Sequence, residues 1–408
     1  MAEINSNTKA GQARQCPAGY KNCDGYIIPN EWSVVRFNSL FKRLTRKNSE
    51  NNQNVLTISA QQGLVSQMEY YNTLYASENK EGYSLLRKGD FSYNKSYSSD
   101  YAYGAIKRLD TYDNGIVSPL YICFTPEDGT NSDFYLQYFE AGCFNREIYK
   151  IAQEGARNHG LLNVSTEDFF NSSLVFPPLA EQDRIAEILI QCDKVIELKQ
   201  NRIEEEKKKK KWMMRHFFSG ENANGWITAR YLDVCKFLNG RAYKQEELLA
   251  SGKYPVLRVG NLFTKGDWYY SDLELSGDKY IDDGDLIYAW SASFGPQIWN
   301  SGKVIYHYHI WKVIPEGNVD KNYLYQYFLY DVDLLVREQQ GGTMSHITKE
   351  TMEKRVCRYP NLNDQRKIAE MLSEQDKLIA LLEEEVSAWQ KRKKGLTQIL
   401  LTGMRRVN

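Results

Sequence analysis

The segment PPLAEQDRIAEILIQCDKVIEL, beginning at Pro177, returns in altered form at Pro360 as PNLNDQRKIAEMLSEQDKLIALL. Residues 176–220 align with 359–403 without a gap at a constant offset of 183, with 15 identities in 45 positions. The identities include Pro177/Pro360, Leu179/Leu362, Gln182/Gln365, Ile185/Ile368, Leu189/Leu372, Asp193/Asp376 and Gly220/Gly403. An ungapped duplication of this length demands two matched halves in the fold.

Each copy reads as one long helix. It starts just after a proline, which suits the approach to a helix and not its interior, and it stops at a glycine, favoured just past the last turn. About 38 residues at 1.5 Å per residue make a rod of roughly 55–60 Å. Apolar residues fall at Ile185, Leu189, Cys192, Ile196 and Ile203 in the first copy, and at Ile368, Leu372, Ile379, Leu382, Val386 and Trp389 in the second. Steps of four and three are the seam of a coiled coil, so the two helices are expected to pair. The run EEEKKKKKW, Glu204 to Trp212, reads as a solvated helix face; a basic surface facing phosphate or a subunit is the alternative.

With 408 residues the chain has room for two or three domains, each with its own core. Lys+Arg and Asp+Glu both number 52, so any nucleic-acid surface has to be local and offset elsewhere. Seven scattered cysteines (Cys16, Cys23, Cys123, Cys143, Cys192, Cys235, Cys357) without a CxxC argue against a disulfide framework or zinc ribbon and for a reducing cytosol. No basic-then-apolar leader opens the sequence and no apolar run approaches a membrane span, so a soluble, cytoplasmic protein is expected.

The regions before the helices share a plan. Each opens near a tryptophan, PNEWSVVRFNSLF (Trp32) and NGWITARYLDVCKF (Trp226). A Gly-Asp turn then enters a strand, RKGDFSYNKS (Gly89, Asp90) and DDGDLIYAWSASFG (Gly284, Asp285). Next come a β-rich run, GIVSPLYICF and KVIYHYHIWKVI, a short aromatic helix, and a Gly-led polar loop before the proline. The domains agree in plan and the helices agree in residues. That is the pattern of a constant frame carrying two different readers.

These features together resemble the specificity (S) subunits of type I restriction-modification systems. The carrying motifs are the two P-x-L-x-x-Q-x-x-I-A-x-x-L helix starts, GDFSYNKS and GIVSPLYICF in the first half, and GDLIYAWSASFG in the second; the resemblance covers the chain from about residue 26 onward. It implies an α+β fold: two similar target-recognition domains of mixed or antiparallel β-structure with short helices, joined by two long antiparallel coiled-coil helices in a pseudo-two-fold plan. The expected divisions are a flexible N-terminal tail (1–25), domains at 26–176 and 221–358, and spacer helices at 177–220 and 359–408. Each domain would read one half of a bipartite site on double-stranded DNA, and two methyltransferase (M) subunits would dock on the frame. The resemblance also allows restriction (R) subunits as partners. No cofactor is expected in this chain; S-adenosylmethionine belongs to the partner subunit.

Reading a base edge needs paired donors and acceptors on loops that enter the major groove, Arg or Lys for guanine and Asn or Gln for adenine. In the first domain the candidates are Asn94, Lys95 and Ser96 after the Gly-Asp strand, with Arg157, Asn158 and His159 in the later loop. In the second they are Ser291, Ser293 and Phe294, with Thr343, Ser345 and His346 in the later loop. Arg241, Tyr243 and Lys244 in NGRAYKQEE, and Arg258 and Asn261 in LRVGNL, complete the set. A phosphate contact, which orients without specifying, is the competing reading for each. The sequence carries no GxxxxGK[ST], GxSxG or HExxH, and FPPL at Phe176 lacks the asparagine of an amino-methyltransferase signature, so this is expected not to be an enzyme. His307 and His309 read as core or surface histidines on one face of a strand, without the further ligands a metal would need. Two alternatives stay open: an assembly scaffold whose domains bind proteins, and a specificity subunit of a type IIB-like system.

Overall fold

The computed structural model describes residues 16–59, 62–73, 75–96, 101–152, 161–220, 225–264, 266–291, 294–338 and 347–407. The chain forms two compact units, Met1–Leu198 with Ser387–Asn408, and Lys199–Val386. The fold is α+β, and each unit repeats one architecture.

In the first unit a four-stranded antiparallel sheet runs in the order Phe41–Arg43, Ile122–Pro126, Phe91–Asn94, Ala105–Arg108. In the second the order is Cys235–Asn239, Ile310–Pro315, Leu286–Ala289, Gly295–Ile298, again antiparallel. Each Gly-Asp strand lies inside its sheet, with a neighbour on both sides. A smaller sheet accompanies each. In the second unit Tyr269–Ser271, Tyr254–Leu257, Val304–Tyr306 and Tyr280–Ile281 follow one another, the middle pair parallel. In the first, the hairpin Leu56–Ser59/Gly63–Ser66 and the antiparallel pair Ser84–Arg87/Asn114–Val117 meet through a parallel bridge from Val55 to Ile116, with Leu56, Leu64, Leu86 and Val117 buried in one cluster. Two further pairs, Ser33–Arg36 with Ser173–Phe176 and Ile227–Arg230 with Val356–Tyr359, bring the start of each domain beside the strand that leads into its long helix.

Aromatic rings make up much of both cores. Phe37, Phe41, Phe91, Phe124, Phe139 and Phe169 are buried together in the first unit, with Phe91 and Phe124 stacked at 5.3 Å. Tyr231, Phe237, Tyr288, Trp311, Tyr327 and Phe328 fill the second. Aromatic pairs add about 0.5–1.5 kcal/mol beyond the area they bury, so ring geometry helps select each packing. The short aromatic helices Ser132–Glu140 and Lys321–Glu338 supply Tyr135, Tyr138, Tyr323 and Tyr327 to these cores.

The repeated segments are the helices Leu179–Phe218 and Leu362–Leu400, of 40 and 39 residues, or roughly 60 Å each at 1.5 Å per residue. The repeated glutamines explain part of the motif. Buried Gln182 donates its amide to the Pro177 carbonyl at 2.8 Å, and Gln365 donates to that of Pro360 at 2.9 Å, so each satisfies a carbonyl that the approaching chain would otherwise bury unpaired. Past the other ends, Gly220 and Gly403 take φ of +88° and +71°, the left-handed conformation of a helix stop. A Cβ on Gly403 would sit 2.5 Å from Pro29 Cδ, so close packing as well as φ demands glycine there.

Within each unit the two helices run antiparallel. In the second, Lys199 meets Glu385 and Lys210 meets Asp376; in the first, Lys393 meets Asp193. Ile185, Leu189 and Cys192 are buried, as are Ile203, Ile368, Leu372, Ile379 and Val386, while Ile196, Leu382 and Trp389 are half-buried. Ile185 and Leu189 belong to the first aromatic core and Ile368 and Leu372 to the second, so the first turns of each seam serve a domain as well as the helix pair.

Three expectations are corrected. Residues 20–23, placed in a flexible tail, form a strand paired with Tyr26–Pro29, and Asp24 and Gly25 at the turn both have positive φ, as a two-residue hairpin turn requires. The acidic and basic run is not simply solvated. Glu206 is buried and accepts from Gln375 at 2.7 Å, and Lys207, Lys209, Lys210 and Lys211 all pair with acids. His307 and His309 read as strand residues, but each β-rich run is cut in two: Asn114–Val117 and Ile122–Pro126, Val304–Tyr306 and Ile310–Pro315. His307 and His309 therefore sit in a turn between strands.

Candidate nucleic-acid interface

The strand that leaves the Gly-Asp turn ends, in both units, beside the close of the later polar loop. In the first unit the Leu162 N–H donates to the Lys95 carbonyl at 3.0 Å, and Ser96 bridges to Leu161. In the second the Ile347 N–H donates to the Trp290 carbonyl at 2.9 Å. One backbone hydrogen bond thus joins two candidate segments that lie more than 50 residues apart in sequence. The turn that cuts the β-rich run arrives at the same edge. Ile122 pairs with Tyr93, which places 118–121 beside Asn94, and Ile310 pairs with Ala289, which places 307–309 beside Trp290.

The edge is constant in backbone and different in chemistry. In the first unit the turn is Ser118-Pro119-Leu120-Tyr121, closed by the Tyr121 N–H on the Ser118 carbonyl at 3.1 Å, with Leu120 60% exposed. The Asn94 side-chain oxygen accepts from the Ser96 N–H at 3.0 Å, so Asn94 shapes the loop while half-buried Lys95 and exposed Ser96 follow it. Arg157, Asn158 and His159 lie outside the described residues.

In the second unit the early loop joins the edge directly. Arg241 bridges to His307, and the Tyr308 N–H donates to the Arg241 carbonyl at 3.1 Å. The Arg241 guanidinium is committed to Glu247 through two hydrogen bonds of 2.8 and 2.7 Å, which hold the Glu247 carboxyl below the usual range. Tyr243 is half-buried with its ring 6.4 Å from that of His307. Lys244 is exposed, near Glu246. Asn261 is a loop organiser: its oxygen accepts from the Arg258 N–H at 2.9 Å and its amide donates to the Gly266 and Asp267 carbonyls. Arg258 itself is exposed, its guanidinium 5.1 Å from the Tyr269 ring centre. Ser291 is half-buried at the edge, and half-buried Phe294 packs on the second core. Ser293, Thr343, Ser345 and His346 lie outside the described residues.

The sequence reading missed the turn at His307–His309, which joins Leu257, Arg241 and Trp290 at this edge. The His307 N–H donates to the Leu257 carbonyl at 2.9 Å, the Trp290 N–H to the His309 carbonyl at 3.1 Å, and the Trp290 indole N–H to the Tyr308 carbonyl at 2.8 Å. Burial, then His309 and Arg258, push the His307 imidazole down to about 4; burial and Arg258 lower His309 as well. Both rings are neutral near pH 7. The only cue in the sequence was the odd polar triplet HYH inside a β-rich run.

Among the described residues no group of three or more His, Cys, Asp or Glu could hold a metal ion, and no helix is long and apolar enough to cross a membrane.

Known proteins share this frame. The chain is 22% identical over 438 residues to the MjaVIII type I restriction enzyme specificity subunit of Methanocaldococcus jannaschii, covering 95% of this chain and 96% of that one. A chain from a type I R-M system, solved to describe complex assembly and conformational transition, superposes with a TM-score of 0.58 at 15% identity over 92% of this chain and 99% of its own. The S subunit of a type I restriction-modification system from M. genitalium superposes with a TM-score of 0.54 at 14% identity over 90% and 96%. The sequence model of the type I restriction modification DNA specificity domain matches twice, over residues 29–207 and 224–388. With both halves matched, the chain belongs to the family of type I restriction-modification specificity subunits.

Proposed function

We propose that this chain is the non-catalytic DNA-reading component of a type I restriction-modification complex. Each unit reads one half of a bipartite duplex site, and the chain carries two methyltransferase subunits, with restriction subunits joining the same assembly. The methyl donor, S-adenosylmethionine, would be held by the methyltransferase, and the complex would act in the cytoplasm on the DNA it marks.

The observation that supports this reading is the recurring edge. Two units with one central-sheet topology bring the same backbone segments together, then fill them with Asn94, Lys95 and Leu120 in one case and Trp290, Ser291, His307, Tyr308 and His309 in the other. A scaffold for two identical partners has no need of that difference; a reader of two unlike half-sites does.

The test is duplex binding by the purified complex with its methyltransferase. Binding should favour one bipartite sequence and fall at least about tenfold between 50 and 200 mM salt, as phosphate contacts release counterions. An intact complex whose DNA association ignores both sequence and salt would favour the assembly-scaffold alternative.

A further inference from the structure

We infer that the turn His307-Tyr308-His309, with Arg258 beside it, contacts base edges in the half-site read by the second unit. This rests on the function proposed above and names residues for it.

The turn is built to hold polar groups that the fold itself does not use. Its backbone is fixed on three sides, by Leu257, Arg241 and Trp290. Its rings are crowded, with the two imidazoles 4.8 Å apart and Trp290 5.0 Å from His309. Yet the ring nitrogens of His307 and His309 have no hydrogen-bond partner among the described residues. Neither imidazole is fully buried, so these nitrogens are open to a group arriving from outside the fold. Tyr308 at the tip is 39% exposed, and the exposed Arg258 guanidinium has no carboxylate partner among the described residues.

The chemistry suits bases better than phosphates. A neutral imidazole offers one N–H donor and one nitrogen acceptor, the mixed pattern a base edge presents, and it brings no charge to a phosphate. Arg258 adds the planar fork that matches the O6 and N7 acceptors of guanine. Arg241, the other arginine at this edge, is already engaged by Glu247. The equivalent turn of the first unit places Ser118, Pro119 and Leu120 at this position, so the two readers differ where their chemistry must differ.

The experiment maps methylated sites in DNA from cells that make the complex with wild-type chain, His309→Asn or Arg258→Lys. The lysine keeps the charge that a phosphate contact needs but replaces the planar two-donor fork with a single ammonium, which weakens bidentate recognition of guanine. The expected result is a bipartite wild-type motif of which only one half changes in the variants, with methylation of the original site reduced about tenfold or more per lost base contact. The inference is overturned if both variants methylate the wild-type motif unchanged, or lose methylation evenly at all sites with the motif intact. A soluble wild-type complex that methylates no bipartite site overturns the functional reading itself, and this inference with it.

Discussion

Lys210 of the first long helix pairs with Asp376 of the second at 2.5 Å, and the other carboxylate oxygen of Asp376 accepts from the Gln326 amide at 3.0 Å. The first unit repeats the arrangement: Lys393 pairs with Asp193 at 2.5 Å, and Gln137 donates to Asp193 at 2.9 Å. Both the aspartates and the lysines stand 183 positions apart, the offset of the repeat. One carboxylate therefore joins both long helices to the aromatic helix of a domain, which fixes the register of the pair. Seam apolarity alone would leave register less defined, because greasy contacts are tolerant of a slip by one turn.

This lock predicts a measurable coupling. Lys210→Met and Asp376→Leu, alone and together, should give a double-mutant coupling of about 1 kcal/mol in denaturant unfolding, reduced from a buried pair because Asp376 is partly exposed. A coupling near zero would show that the helices hold register without it.

Leu189 and Leu372 are fully buried in different aromatic cores. Asp at either position buries a carboxylate without a partner, at a cost of several kcal/mol. Each substitution should therefore unfold its own unit rather than merely part the helices. Proteolysis with fragment identification checks this: Leu189→Asp should expose the first domain and Leu372→Asp the second.

Arg406 closes the first unit. It donates to both oxygens of Glu181 at 2.7 and 2.9 Å and also pairs with Glu31, while Glu181 accepts the Trp32 indole N–H at 2.8 Å. Arg406→Ala strands the buried Glu181 carboxylate and should cost about 2 kcal/mol, seen as a lower Tm. Adding Glu181→Gln should return part of the loss, since no charge is then left buried.

The His307 imidazole titrates near 4 in the fold, below its unfolded value of 6.5. Between these values the unfolded chain binds a proton that the native chain refuses, so this residue makes stability fall as pH drops from about 6.5 to 4. Denaturant unfolding of wild type and His307→Gln across that range should show the smaller pH slope in the variant. Equal slopes would mean that the ring is freely protonated in the fold.

Much of the architecture was legible because the repeat constrained it twice. Proline before, glycine after and the four-three spacing between them gave helices that begin and end close to where they are found, and the Gly-Asp turns marked strands of the central sheets. Buried polar groups were harder to read. Glu206 stands in a run of charges that looks solvated, and only the antiparallel partner brings Gln375 to it. The interface was half legible. Asn94 and Ser291 were read as loop residues from local pattern, but the joining of strand exit, turn and later loop is set by sheet pairing between distant residues. The turns that divide the two β-rich runs were not read: Pro119 is compatible with the end of an edge strand, and His307, Tyr308 and His309 are all tolerated in strands.

The central claim is that two unlike readers on one frame recognise two half-sites. The measurement that addresses it most directly is a single-molecule map of methylated adenines in cells that make this chain with its methyltransferase. One motif, two short half-sites separated by a constant non-specific gap, is the predicted result. Methylation at a single continuous sequence, or none from a soluble complex, would contradict it.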